Sequence, residues 1–173
     1  ATSGSWTSGN NVGNMYATQL VTEATAKATE GNLPELNTGE TEAGDILRNR
    51  VEAVFAEGFG EAKVSSSAVF AATDNYYIVN YWNEDHYNWG HIPSAIQYTP
   101  TASLTSDTFL KTLPTDKPIA VYCYTGQTSA HVAAYLRVLG YDAKSVLFGV
   151  NGMNHDNMPG TVWADTEIHD YTL

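Results

Sequence analysis

Val121-Tyr122-Cys123-Tyr124-Thr125-Gly126-Gln127-Thr128-Ser129 joins two segments of opposite character. Upstream, Ile119-Ala120-Val121-Tyr122 is an unbroken β-favouring run, which predicts a strand buried on both faces. Downstream, Val132, Ala133, Leu136 and Leu139 lie on one helical face and Gly140 stops the pattern, so residues 128–139 are expected to be helical. A strand, a six-residue turn and a helix direct successive backbone N–H groups inward and add the positive end of the helix dipole. An anion held there needs no charged side chain, and a cysteine held there is favoured as the thiolate. The chain's single cysteine, Cys123, stands at that point. Gly126 permits the conformation that closes the turn, and Thr125, Thr128 and Ser129 offer hydroxyl donors. Two other readings stay open. Free cysteine is among the most buried residue types, so Cys123 could be an inert core thiol; or it could pair with His91 or His131 as a nucleophile–base dyad.

The flanking pattern repeats the same alternation. Val64-Ser65-Ser66-Ser67 leads into a serine-capped helix through Ala72, and Asp74-Asn75 is a turn signal before the strand Tyr76-Tyr77-Ile78-Val79. A polar loop, the stretch Gly90-His91-Ile92-Pro93 and a short strand Ala95–Tyr98 follow. A helix is expected over Ser106–Leu113, ahead of Pro114, and the last strand is expected at Ser145–Phe148. Strands alternating with helices at this spacing predict an α/β domain with a mainly parallel sheet. Sites in such sheets lie beyond the carboxyl ends of the strands. Cys123 falls there.

The first 60 residues read differently. Residues 1–12 are rich in Ser, Gly and Asn and are expected to be a loose arm; residues 14–30 have helix-compatible composition ending at Gly31. Leu47, Val51, Val54 and Phe55 are spaced as the apolar face of a second helix, stopped by Gly58 and Gly60. This gives a mostly helical extension packing on the domain.

Composition removes several classes of function. Apolar residues make up 43% of the 173 and charged residues 16%, enough for a packed core. Nineteen acidic residues against eight basic ones give a net charge of −11, which argues against nucleic acid and anionic membrane as partners. No apolar stretch approaches the roughly 18 residues of a membrane span. Histidines 86, 91, 131, 155 and 169 lack metal-ligand spacing, and Asp156, Asp165, Glu167 and Asp170 read as a solvated acidic end. No metal or cofactor is therefore expected. Scarce Lys and Arg beside abundant Asn, Thr, Ser and Tyr point to an exported, periplasmic setting, with the cytoplasm as the alternative.

Across residues 61–153 the motifs together resemble the rhodanese family of sulfurtransferases, its single-domain members in particular. The resemblance rests on Gly90-His91-Ile92-Pro93-Ser94-Ala95, on Cys123-x-x-Gly126-x-x-Ser129, on the helix ending at Gly140-Tyr141, and on the closing Asn151-Gly152. It implies a five-stranded parallel sheet with helices on both faces. It also implies that Cys123 takes a sulfane sulfur from a donor such as thiosulfate or polysulfide, forming a persulfide. A thiol or cyanide acceptor then removes that sulfur. The backbone of Tyr124, Thr125, Gly126, Gln127, Thr128 and Ser129 would hold the outer sulfur, while Gly90, His91, Ile92 and Pro93 form a structural motif. The expected division is residues 1–60 as arm and helical extension, 61–157 as the domain and 158–173 as a polar tail.

The departures from the family are specific. Asn80 and Trp82 stand where many members carry Asp-x-Arg, and His86 stands where Glu is frequent, so an internal ion pair is exchanged for an aromatic and a histidine. Trp163 lies beyond the usual place of the family's closing tryptophan. All loop side chains after Cys123 are neutral, and the position that a phosphatase would fill with Arg is Ser129, which disfavours phosphoryl chemistry. A second reading is therefore a rhodanese-like binding or sulfur-carrier module with little turnover and a protein partner.

Overall fold

The computed structural model describes residues 13–160. Five strands form one parallel sheet: β1 (Lys63–Val64), β2 (Tyr77–Asn80), β3 (Ile96–Gln97), β4 (Ile119–Tyr122) and β5 (Ala143–Val146), in the order β1-β5-β4-β2-β3. The helices are α1 (Ala43–Glu57), α2 (Ser66–Ala71), α3 (Glu84–Trp89) and α4 (Gln127–Val138). The strand alternation divides the core in two. Ala120 and Tyr122 of β4 join Ile78, Val69 of α2 and Trp82 on one face. Ile119 and Val121 join Val79, Leu113 and the Val132–Ala133–Leu136 stripe of α4 on the other. Both faces of β4 are thus dry, as an uninterrupted apolar strand requires.

Several local expectations are corrected. No helix spans residues 14–30: a turn at residues 15–19 gives way to an extended strap. The strap's bonds run to distant backbone, with Val21 bridging His91 and Gly31 N–H donating to the Lys111 carbonyl. Its Lys27 ammonium sits 4.9 Å from the ring centroids of both Tyr98 and Phe109. Among the described residues ahead of β1, the helical part is therefore α1 alone. The helix expected at Ser106–Leu113 shrinks to a single 3₁₀ turn, Leu110–Thr112. Before it, the Thr108 hydroxyl takes the Thr105 N–H and the Thr105 hydroxyl donates to the Asp107 carboxylate, local bonds that compete with helix formation. The loop expected between Asn80 and Gly90 contains α3, whose Asn83 side chain caps His86 N–H at 2.8 Å. Finally, β5 lies two residues earlier than expected, because Phe148 turns the chain with φ 61°.

The apolar face assigned to α1 is only partly covered. Val51 and Val54 are half-buried, whereas Leu47 is 56% and Phe55 69% exposed. The helix is held instead by its polar side: Arg50 donates to the carbonyls of Val138 and Arg137, and Glu57 pairs with Arg137. None of the helices among the described residues is long and apolar enough to cross a membrane. The arm at residues 1–12, and Trp163, Asp165, Glu167, His169 and Asp170, lie outside the described residues.

Candidate active site

β4 delivers Cys123 to the carboxyl edge of the sheet, and α4 begins four residues later. Gly126, the residue before the helix, has φ 90° and no side chain to cap it. One of the unpartnered first-turn N–H groups, that of Ser129, points to Cys123 Sγ at 3.4 Å. The sulfur therefore occupies the position of a capping side chain, within the positive end of the helix. The Ser129 hydroxyl is 3.6 Å from the same sulfur, donates to the Gly126 carbonyl at 3.0 Å and meets the Ser145 hydroxyl at 2.8 Å.

The other loop positions are placed differently. Among Tyr124–Ser129, Ser129 supplies the one amide within hydrogen-bond distance of the sulfur. Thr125 and Gln127 face an open groove of about 490 Å³ on the outer side of the loop, shared with Phe59, Leu147 and Phe148. Cys123 itself is 2% exposed. It lies in a cluster with Trp82, Val150, Met153 and Met158, so the sulfur is sheltered by apolar groups while its inner side faces polar donors.

The loop is locked from outside by the turn after β5. Val150 N–H donates to the Cys123 carbonyl and Asn151 N–H to that of Tyr124, at 3.1 and 2.8 Å. This approach is so close that a Cβ on Gly149 would lie 2.3 Å from the Cys123 oxygen, so only glycine fits at that φ of 53°. The expected Asn151-Gly152 pair belongs to this locking turn.

Tyr124 forms the rim. Its ring stacks on Trp82 at 4.6 Å with planes 17° apart, and its hydroxyl lies 2.5 Å from His86 Nδ1. Burial, reinforced by charge on Cys123, pushes the Tyr124 phenol above its ordinary range. Trp82 also meets His86 edge-on at 6.2 Å, so the two residues that replace an ion pair pack against each other. Asn80 Oδ1 and Trp82 Nε1 are buried with no hydrogen-bond partner among the described residues. The Tyr124–Trp82–His86 assembly was not legible as a unit, because its members are up to 42 residues apart; α3's cap at Asn83, with Glu84 and Asp85 behind it, was the available signal.

The Gly90–Pro93 stretch has a different task. Ile92 N–H and the Asn80 amide both donate to the Tyr122 hydroxyl, which burial holds far above the ordinary phenol range. His91 is fully buried, stacked on Tyr87 at 3.7 Å, with its ring nitrogens against the carbonyls of Tyr87 and Glu23. These contacts engage the ring with backbone rather than with the cysteine. His131 is exposed on α4. Neither candidate base, His91 or His131, is hydrogen-bonded to Cys123, whose sulfur meets Ser129. Among the described residues no three His, Cys, Asp or Glu side chains cluster as a metal site would need.

With this geometry in place, the sequence over residues 71–155 matches the model of the rhodanese-like domain. No curated protein matches the chain. Among solved structures, a rhodanese-related protein from Thermoplasma volcanium is similar at 23% identity and a TM-score of 0.49, covering 56% of this chain and 94% of its own. The reduced CoADR-RHD protein of Bacillus anthracis is similar at 23% identity and a TM-score of 0.49, with 60% of this chain and 18% of the larger protein covered. An NAD-dependent persulfide reductase from A. fulgidus is similar at 23% identity and a TM-score of 0.42, with 62% and 18% covered. The chain thus spans less than a fifth of the latter two.

Proposed function

Because residues 71–155 are a rhodanese-like domain, we propose that this protein is a sulfurtransferase working through a persulfide on Cys123. The observation that carries the reading is the Ser129 N–H donating to Cys123 Sγ at the start of α4. It stabilises the thiolate as nucleophile in the first half-reaction and as leaving group in the second. The thiolate attacks the outer sulfur of the donor. The bond between that sulfur and the rest of the donor breaks, and its electron pair leaves with the remainder: sulfite from thiosulfate, or a polysulfide one sulfur shorter. An acceptor thiolate or cyanide then attacks the outer sulfur, and the Cys123 thiolate departs. The loop carries no cationic side chain, so it offers no charge clamp to an anionic donor, thiosulfate and polysulfide alike.

The test is intact-protein and peptide mass spectrometry after treatment with polysulfide and, separately, thiosulfate. The reading requires the mass of one sulfur atom added at Cys123, and its transfer to cyanide or a thiol. A chain that gains no sulfur from either donor is not a sulfurtransferase.

A second reading, a binding or carrier module with little turnover, draws on the near-complete burial of Cys123 and the exposed Leu47 and Phe55 of α1. It expects sulfur loading without repeated turnover, which steady-state assays with excess acceptor separate from the first.

A further inference from the structure

The second half-reaction poses a problem that the cysteine loop alone does not solve. A thiol acceptor near neutral pH is mostly protonated, since its ordinary pKa is about 8.5, and it must lose that proton to attack. Ser129 faces the leaving sulfur from the inner side, where its hydroxyl is engaged with Gly126 and Ser145. The described histidines differ in what they touch. His91 faces two backbone carbonyls, His131 is exposed, and His155 lies against Asp156. His86 is hydrogen-bonded to the cysteine loop, through the Tyr124 hydroxyl.

Resting on the sulfur-transfer reading, we propose that Tyr124 and His86 form a proton relay that admits neutral thiols as acceptors. The acceptor's S–H proton passes to the Tyr124 oxygen as the phenol proton passes to His86 Nδ1. The acceptor sulfur bonds to the outer sulfur of the persulfide, the bond from that sulfur to Cys123 Sγ breaks, and its electron pair stays on Sγ. The products are the acceptor persulfide, the Cys123 thiolate and a proton on His86, later released to solvent. No oxidant or reductant enters.

Three features of the rim suit this role. The Tyr124 ring is held by the Trp82 stack, and Gly160 abuts its edge so closely that a Cβ there would lie 2.8 Å from Cε1. The ring is therefore fixed in place, packed against the cluster that holds Cys123 and in electrostatic contact with that residue. The phenol also stays protonated while the thiolate is charged, because burial and that charge both disfavour its ionisation, so it gives up its proton only while receiving another. Trp82 meets His86 edge-on, which sets the plane of the imidazole.

The experiment loads Cys123 with sulfur from polysulfide and measures single-turnover transfer to 2-mercaptoethanol and, in parallel, to sulfite, which attacks without first losing a proton. The thiol-to-sulfite rate ratio is expected to fall at least about tenfold in both Tyr124→Phe and His86→Asn. Added imidazole is expected to raise thiol transfer in His86→Gly but not in Tyr124→Phe. Tyr124→Phe keeps the ring that stacks on Trp82, so loss of packing does not account for its effect. Ratios equal to the wild type in both variants, or no response of His86→Gly to imidazole, overturn the relay. A wild-type protein that takes up no sulfur overturns the sulfur-transfer reading itself, and the relay with it, so the two failures are distinguishable.

Discussion

The two ends of α4 show how one helix can serve opposite tasks. At its amino end a first-turn N–H has no helical partner, and the sulfur of Cys123 fills that place. At its carboxyl end the guanidinium of Arg50, from α1, donates to the carbonyl of Val138 and joins the Gly140 N–H on the carbonyl of Arg137. The dipole favours negative charge at the first end and positive charge at the second. The surroundings differ accordingly. Around the carboxyl end Arg137 meets Glu57 and Asp142, and Lys144 meets Glu61 and Asp142. Around the amino end the loop has no charged side chain, only hydroxyls, amides and the Tyr124–Trp82 stack. Ion pairs fasten an accessory helix at one end. At the other, their scarcity leaves the dipole's effect on sulfur uncompensated.

The largest expected effect breaks the amino end alone. Cys123→Ser removes the nucleophile, so sulfur loading should vanish entirely. The fold should persist, because the serine oxygen can still accept the Ser129 N–H; circular dichroism and mass spectrometry on the same sample check both halves. Next in size is Gly149→Ala, which attacks the same end from outside. The new methyl would overlap the Cys123 carbonyl, and the backbone would have to leave a φ of 53°. Destabilisation of about 3 kcal/mol is expected in urea unfolding, with sulfur loading reduced even under conditions where the variant is folded.

What could be read from sequence follows from how local the determining interactions are. β4, the cysteine turn and α4 were legible because four apolar residues, one glycine and a helical stripe lie within about twenty residues of one another. The strap was not. Its Val21–His91 bridge and Gly31–Lys111 bond join positions with no shared periodicity, so residues 14–30 looked helical by composition alone. The short helix α3 did leave a trace in its Asn83 cap and acidic first turn, but six residues are too few for a hydrophobic period. The site divides the same way. Cys123 and Ser129 are related by loop spacing, whereas the bond from Tyr124 to His86 spans 38 residues and required the fold. The α1 face misled for a further reason: its apolar spacing is real, yet Leu47 and Phe55 remain exposed while charged residues make the contact.

The carboxyl end supplies the complementary pair of predictions. Arg50→Met keeps most of the side-chain bulk but removes both bonds to the α4 carbonyls and the favourable charge at the dipole's negative end. About 1–2 kcal/mol should be lost, with hydrogen exchange rising across α1 and sulfur loading at Cys123 unaltered. A change in loading of similar size would show that the two ends are coupled through the helix instead of acting separately. Salt gives the smallest effect and separates the ends without mutation. The partners at the carboxyl end include exposed carboxylates: Glu57, Asp142 and Glu61 have side chains 46, 52 and 72% exposed. Raising ionic strength from about 0.1 M to about 1 M shortens the screening length from roughly 10 to 3 Å. Partly exposed pairs of this kind are worth about 0.2–1 kcal/mol, so α1 protection should fall by a few tenths of a kcal/mol. The Ser129 N–H on the buried sulfur is a short-range contact out of reach of mobile ions, and the rate at which an uncharged alkylating reagent such as iodoacetamide modifies Cys123 should stay level over the same range. If that rate instead tracks α1 protection, docking of the accessory helix governs access to the sulfur, and the ion pairs at one end of α4 control chemistry at the other.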